Sequence, residues 1–199
     1  MDNGTVTLET YEWDQTWVEH AEDRAAPRVL YIGDSISIPT RAGMNAAFGD
    51  KLRVDGFASS KAADHPYFAE CVRLFAAQMG SPYRAVLFNN GLHGWHLDDT
   101  CAYPLHYSRV VEELRSLFPE AEFCIVLTTP VEDPRQDERV RSRNRSAQRI
   151  AGRYGMPTVD LYRADPQLKK YLCPDGVHFT DGGYRILTDT LAAYSKRFI

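Results

Sequence analysis

Short apolar segments alternate with segments of helical periodicity along this chain, and that alternation limits the folds open to it. Five apolar segments read as strands: 28–33, 51–56, 84–90, 121–129 and 157–161. Between them, apolar residues recur at helical spacing, as in Val110, Val111, Leu114 and Leu117. Strands that alternate with helices form a parallel sheet covered on both faces. The sequence therefore predicts an α/β fold, a three-layer α/β/α flavodoxin-like sandwich with a five-stranded parallel sheet of order 2-1-3-4-5.

The length of the chain indicates one domain. A chain of 199 residues with 44% hydrophobic side chains has the size and composition of a single well-packed unit. We expect one domain over residues 1–199, with residues 1–26 packed on it as an N-terminal extension. Trp13 and Trp17 are four residues apart, so on a helix they would share one face and hold this extension on the domain.

The charge pattern excludes two classes of partner. A net charge of -4 leaves no basic surface for nucleic acid or for an anionic membrane. No apolar run approaches the roughly 18–20 residues of a transmembrane helix. The first residues, MDNGTVTLETYEWDQ, are acidic and polar, unlike a secretory signal, so we expect a cytoplasmic protein.

One segment, residues 135–153, is rich in arginine but does not predict a nucleic-acid surface. Acidic residues are interspersed with the arginines. Val140, Ala147, Ile150 and Ala151 supply an apolar inner face at helical spacing. This pattern is typical of a helix whose charged residues face solvent.

A tight turn after the first predicted strand carries a serine. In open parallel sheets, ligands bind beyond the carboxyl ends of the strands. The segment GDSIS, residues 33–37, begins at this edge, and Gly33 permits the turn that presents Ser35 there. A serine hydroxyl is a poor nucleophile until a base accepts its proton. Ser35 is therefore a candidate nucleophile that needs a base.

An aspartate and a histidine stand three residues apart in DGVH, residues 175–178, after the fifth predicted strand. A carboxylate beside an imidazole fixes the imidazole tautomer and stabilises its protonated form. Asp175 and His178 are thus candidates for the missing base, brought to Ser35 by the common sheet edge. The alternative is that Asp175 caps the last helix and His178 is an ordinary turn residue.

GDSIS near one end of the chain and DGVH near the other resemble the SGNH/GDSL family of serine esterases and acetylesterases, from residue 28 to about residue 194. The resemblance implies that Ser35 is the nucleophile, His178 the general base and then acid, and Asp175 the residue that orients it. It implies an esterase without a cofactor. The implied partner is a small-molecule or glycan ester with a short acyl group, such as an O-acetyl group on carbohydrate.

Two further blocks of that family are altered here. The family usually has Gly after the second strand and G-x-N-D after the third, and both donate hydrogen bonds to the developing oxyanion. After the second predicted strand stands DGFASS, so Gly56 or the backbone N–H of Ser59 takes the first place. After the third stands FNNGLHGWH, so Asn90 and His93 are both candidates for the side-chain donor.

Two residues beside these blocks are expected to contact the substrate. Asp34 adjoins the candidate nucleophile. Trp95 follows the third strand and could stack on a sugar ring, or could equally close the core over its loop.

Three other functions remain open on the sequence alone. An acyltransferase would use the same triad and pass the acyl group to a sugar hydroxyl. A metal-dependent hydrolase would use His93 and His96, although their segment has two glycines, reads as a loop and shows no third ligand at fixed spacing. A flavodoxin-like binding module would not need Ser35. We expect the esterase, with no metal.

Overall fold

Strands and helices alternate along most of the chain. The computed structural model describes residues 6–78, 80 and 82–199, so residues 1–5 of the predicted extension lie outside it. The strands are β1 (Asp14–Trp17), β2 (Arg28–Gly33), β3 (Arg53–Ser59), β4 (Ala85–Phe88), β5 (Glu122–Leu127) and β6 (Thr158–Asp160). The helices are α1 (Ser37–Phe48), α2 (Phe68–Ala77), α3 (His96–Asp99), α4 (Tyr103–Leu117), α5 (Pro134–Arg153) and α6 (Asp181–Ser195).

The strands form one sheet in the order β1-β3-β2-β4-β5-β6. β2 to β6 run parallel, and counted along the chain these five strands follow the predicted order 2-1-3-4-5. The predicted total of five strands is wrong, because β1 adds to the free edge of β3 as a sixth, antiparallel strand. The sheet is therefore mixed, with helices on both faces.

The core lies in two layers, one on each face of the sheet, because alternate residues of a strand point to opposite faces. In β2, Leu30 and Ile32 join the layer packed under α2 and α4. Val29 and Tyr31 join the layer under α1 and α6. Every residue of β2 is buried, as expected for a central parallel strand.

The N-terminal extension is a strand where we predicted a helical face. In β1, Asp14 lies opposite Ser59 and Trp17 lies opposite Gly56 of β3. Trp13 and Trp17 therefore do not share a helical face, and the side chain of Trp17 is about half exposed. The extension is held by strand pairing, which a hydrophobicity pattern over four residues cannot reveal.

The arginine-rich segment forms α5, which begins after Asp133. The Asp133 carboxylate accepts hydrogen bonds from the backbone N–H groups of Arg135 and Gln136, so it caps the helix. Most of the arginines face solvent as predicted, but Arg143 is buried, with 1% of its surface exposed. Among the residues described, no helix is both long and apolar enough to cross a membrane.

Candidate active site

The turn between β2 and α1 presents Ser35 at the carboxyl edge of the sheet. The backbone N–H and the hydroxyl of Ser37 both donate to the carbonyl of Asp34, at 3.0 and 2.6 Å. Gly33 is needed because a Cβ at this position would lie 2.7 Å from the Cβ of Ser37. The turn is thus tightly closed, and Ser35 is the partly exposed residue within it.

The segment that carries Asp175 and His178 is a tight loop between β6 and α6. The backbone N–H of Cys173 donates to the carbonyl of His178 at 2.7 Å, which draws the two ends of the loop together. Gly176 has φ of 71° and its carbonyl accepts from the N–H of Glu132 at 2.8 Å. A Cβ at Gly176 would lie 2.9 Å from Glu132, so only glycine fits this close approach.

Ser35, His178 and Asp175 form one hydrogen-bonded chain. Nε2 of His178 lies 2.8 Å from Oγ of Ser35, and Nδ1 lies 2.8 Å from Oδ2 of Asp175. The other carboxylate oxygen, Oδ1, accepts the backbone N–H groups of Val177 and His178, each at 2.9 Å. Asp175 does not cap the last helix, which begins only at Asp181. The sequence prediction that these three side chains meet is confirmed, while their catalytic roles stay a proposal.

Asp34 is buried, with 3% of its surface exposed, which corrects the expectation that it contacts substrate directly. Its Oδ1 accepts the backbone N–H of Ile36 at 3.0 Å and so stabilises the turn. Burial raises the pKa of Asp34, although the positive charge that His93 or His178 can carry opposes this rise. His93 therefore lies close enough to influence the same turn as His178.

His93 is held by the N-terminal extension. Its Nδ1 lies 3.7 Å from Oε1 of Glu9, and the same oxygen accepts the backbone N–H of Gly94 at 2.7 Å. The Trp13 ring meets the imidazole edge-on, with ring centroids 6.2 Å apart. The side chain of His93 stays partly exposed. These contacts leave the imidazole near the turn that carries Asp34 and Ser35, and partly accessible to solvent.

Asn90, the competing donor, is buried and partly committed to other contacts. Its Nδ2 donates to the backbone carbonyl of Lys61 at 2.8 Å, and its backbone carbonyl accepts a hydrogen bond from the hydroxyl of Tyr103 at 2.6 Å. Its Oδ1 is buried without a hydrogen-bond partner among the described residues. One amide hydrogen of Asn90 is thus already used to join the loops after β3 and β4.

Gly56 does not lie where an oxyanion donor is needed. β3 ends at Ser59, three residues later than the predicted strand, so Gly56 is inside the sheet between Tyr31 and Trp17. A Cβ at Gly56 would lie 2.5 Å from Cδ of Arg41, so this glycine makes room for an arginine that packs across the strand. The expectation for Gly56 is corrected for this reason.

Ser59 lies at the carboxyl end of β3, as an oxyanion donor would. Arg53, at the other end of the strand, donates its backbone N–H toward the β2 side, to the carbonyl of Pro27. Because backbone directions alternate along a strand, the N–H of Ser59 has the same orientation. Its hydroxyl donates to Asp14 at 2.7 Å and faces away from the triad toward β1. The register that pairs Arg53 with the carbonyl of Pro27 places the Ser59 N–H against the carbonyl of Gly33 at the end of β2, so this N–H belongs to the sheet and the oxyanion role of Ser59 stays a prediction.

The two histidines of the suggested metal site do not converge. His93 lies beside Glu9, whereas Nε2 of His96 lies 2.9 Å from Oδ2 of Asp64. Across residues 6–78, 80 and 82–199, no three or more histidine, cysteine or carboxylate side chains meet in a group that could hold a metal ion. The geometry therefore favours separate roles for the two imidazoles.

Trp95 is partly buried and packs against the core layer under α1 and α6. One face of its ring is covered by the Arg143 guanidinium, 4.4 Å from the ring centroid. Packing within the protein therefore accounts for one face of the Trp95 ring. Substrate contact through Trp95 stays a prediction.

The architecture has clear counterparts among solved structures. A lipase/acylhydrolase from Enterococcus faecalis is 16% identical with a TM-score of 0.66, over 86% of this chain and 96% of that one. A GDSL-like lipase from Bacteroides thetaiotaomicron is 17% identical with a TM-score of 0.63, over 86% and 89% of the two chains. An acetyl xylan esterase is 17% identical with a TM-score of 0.65, over 84% and 98%. This chain has the SGNH/GDSL fold. No family model and no curated protein sequence matches it, and likeness at these identities speaks to the fold alone.

Sequence reasoning missed two residues that shape this candidate site. Glu9 lies in a polar stretch without any recognisable pattern, and only the pairing of β1 carries it to His93. Arg143 could have been found, because it follows Val140 by three residues and precedes Ala147 by four. That spacing places an arginine on the apolar face of α5.

Proposed function

We propose that this protein is a serine esterase that hydrolyses short-chain acyl esters through an acyl-enzyme intermediate. The observation that carries the proposal is the unbroken chain from Ser35 through His178 to Asp175, with both hydrogen bonds at 2.8 Å. Proteins with this fold include some named as acylhydrolases and acetyl xylan esterases, which is consistent with such chemistry.

The proposed reaction has two halves. Ser35 Oγ attacks the acyl carbon while Nε2 of His178 takes the serine proton, and Asp175 stabilises the resulting imidazolium. His178 then returns the proton to the departing alcohol. In the second half, His178 takes a proton from water, which attacks the acyl-enzyme and releases the carboxylic acid. Asp175 keeps the imidazole oriented throughout.

The exposure of the triad supports a polar, bulky alcohol portion. The side chains of His178 and Asp175 are 42% and 52% exposed, so the nucleophile is not at the end of a deep apolar tunnel. A shallow site fits a short acyl group carried on a large polar molecule, such as an O-acetyl group on carbohydrate. Initial rates on p-nitrophenyl acetate, butyrate and decanoate, with acetate release from acetylated xylan, test this. Preference for decanoate would contradict it.

Activity is expected to fall toward acid pH because of His178 and not Asp175. Hydrogen bonds from the backbone N–H groups of Val177 and His178, with the imidazole contact, lower the pKa of Asp175 to about 2. Asp175 therefore keeps its charge over the assay range of about pH 4–9, in which histidines titrate. A protonated imidazole has no lone pair to accept the serine proton. We predict that kcat/KM declines on the acid side with a midpoint well above 2. A midpoint near 2 would assign the decline to Asp175 instead.

The side-chain donor to the oxyanion is expected to be His93. A donor that matters only when negative charge develops affects kcat far more than KM. Removal of one such donor typically lowers kcat by about 10²–10³-fold. We predict this loss for His93→Ala, with KM little altered, in hydrolysis of p-nitrophenyl acetate.

Two variants control this prediction. His96→Ala removes a neighbouring imidazole that is paired with Asp64, and it should be mild. Asn90→Ala should cost less than His93→Ala, since one amide hydrogen is already bonded to Lys61. Collapse of kcat in Asn90→Ala alone would give Asn90 the donor role. If neither variant loses more than a fewfold, backbone N–H groups alone stabilise the oxyanion.

A further inference from the structure

The loop between β4 and α3 wraps around a single buried guanidinium. Arg143 of α5 donates from Nη1 to the carbonyls of Gly91, at 3.2 Å, and His93, at 2.5 Å. Its Nη2 donates to the carbonyl of Gly94 at 2.7 Å. Three carbonyls within four residues thus converge on one side chain that comes from a different part of the chain.

The remaining donors of the guanidinium are also occupied, and two aromatic rings pack against it. Nε of Arg143 lies 3.0 Å from Oδ2 of Asp98, and Nη2 lies 2.6 Å from the same oxygen. The rings of Trp95 and Tyr103 lie 4.4 and 4.3 Å from the guanidinium carbon. The arginine is 1% exposed, so its charge is compensated within the fold by Asp98.

This arrangement fixes a loop that has little regular structure of its own. The residues from Gly91 to Trp95 belong to no strand or helix, and Gly94 has φ of 70°. Backbone carbonyls that are buried must find donors, and here the donors come from a rigid planar fork. A lysine has the same charge but offers three donors at a single nitrogen and no plane for the two rings. It cannot reproduce these contacts together.

We propose that Arg143 is the positioning residue of the active site, acting on catalysis through His93. By binding the backbone carbonyls of Gly91, His93 and Gly94, it fixes the backbone from which the His93 side chain reaches the oxyanion. Arg143 itself is covered by the loop and does not touch the reacting atoms. The inference rests on the proposed esterase function.

The first test is Arg143→Lys, measured on p-nitrophenyl acetate. We expect kcat to fall by at least about tenfold and by no more than the 10²–10³-fold typical of a lost oxyanion donor, with KM little altered. Arg139→Lys is the matched control. It lies one turn earlier on α5, pairs with exposed Asp99 and lies 5.9 Å from the Trp95 ring, so it should keep wild-type kcat. Wild-type kcat in a folded Arg143→Lys variant overturns the inference.

A double-mutant cycle separates positioning from general destabilisation. If Arg143 acts through His93, then Arg143→Lys should cost nothing further in a His93→Ala background. An equal loss of kcat in both backgrounds overturns the inference, and so does full activity of His93→Ala. If Arg143→Lys does not fold, Asp98→Asn weakens the same tie from a partly exposed partner and is expected to lower kcat in the same direction. Full activity in Asp98→Asn then overturns it.

Ser35→Ala distinguishes failure of this inference from failure of the proposed function. An inactive Ser35→Ala enzyme beside a fully active Arg143→Lys enzyme overturns only the role of Arg143. An active Ser35→Ala enzyme overturns the triad, and the positioning role with it.

Discussion

Ser35→Ala is expected to lower kcat for p-nitrophenyl acetate by about 10⁶-fold, the scale on which loss of a triad serine acts. The variant removes the only atom that can form the proposed acyl-enzyme, and His178 then has no hydroxyl to deprotonate. The Ser35 side chain is small and partly exposed, so circular dichroism and the melting temperature should change little. Initial rates measured with the melting curve check both statements.

Ser37→Ala is the matched control for this variant. Its hydroxyl stands two residues away on the same turn but donates to the carbonyl of Asp34 and not to His178. It should keep most of the activity. An organophosphonate ester should label the wild-type protein at Ser35 and leave Ser35→Ala unmodified. Undiminished turnover by Ser35→Ala, or a label mapped to another residue, would contradict the assignment of the nucleophile.

Asp175→Asn is expected to lower kcat by about 10⁴-fold, as in triads where the orienting carboxylate becomes an amide. The amide oxygen can still accept the backbone N–H groups of Val177 and His178, which now bond to Oδ1. The amide nitrogen then takes the place of Oδ2 and donates to Nδ1 of His178. This forces the proton of the neutral imidazole onto Nε2, the nitrogen that faces Ser35. Nε2 then has no free lone pair to accept the serine proton. The loss should appear in kcat with the fold intact.

Asp181→Asn supplies the comparison, because this exposed aspartate begins α6 three residues after His178 and has no contact with the triad in the described residues. We expect it to retain activity within a fewfold. Steady-state kinetics on purified variants of matched melting temperature decide the matter. If Asp175→Asn stays within tenfold of wild type, Asp175 does not orient the base.

The parallel part of the sheet and the approach of Ser35, His178 and Asp175 could be predicted because their signals are local. β2, for example, follows Pro27 and carries an uninterrupted apolar stretch from Val29 to Ile32 that ends at Gly33, and its predicted bounds, 28–33, agree with the structure. The parallel arrangement then places Ser35 and His178 at one edge, whatever the details of the helices. Two short motifs and a topological rule were sufficient to predict that residues far apart in sequence lie close together in the structure.

The parts that failed depend on contacts between distant segments. β1 is four residues long and none of its residues joins the core, so it has no hydrophobic pattern, and it forms only because β3 offers a free edge. Gly56 falls inside the sheet because β3 stays paired with β2 as far as Ala58, two residues beyond the predicted end of the strand. From sequence, every arginine of residues 135–153 is predicted on the solvent face of the helix, because the charge of Arg143 is given more weight than its spacing from Val140 and Ala147. A buried arginine is stable there only because Asp98 and three backbone carbonyls accept its hydrogen bonds.

The two ends of the described chain lie at opposite ends of the parallel strands: the first residues near the carboxyl ends, the last near the amino ends. This decides how the protein should be attached to a surface. Glu9 contacts the loop beside the active site, so a bulky fusion placed ahead of Val6 would crowd the entrance. Helix α6 starts next to His178 and runs for 15 residues, about 22 Å, to the far edge, where Tyr194 bonds to Glu122 at the start of β5. Immobilisation through a tag after Ile199 would leave Ser35 facing the solution and open to a polymeric substrate.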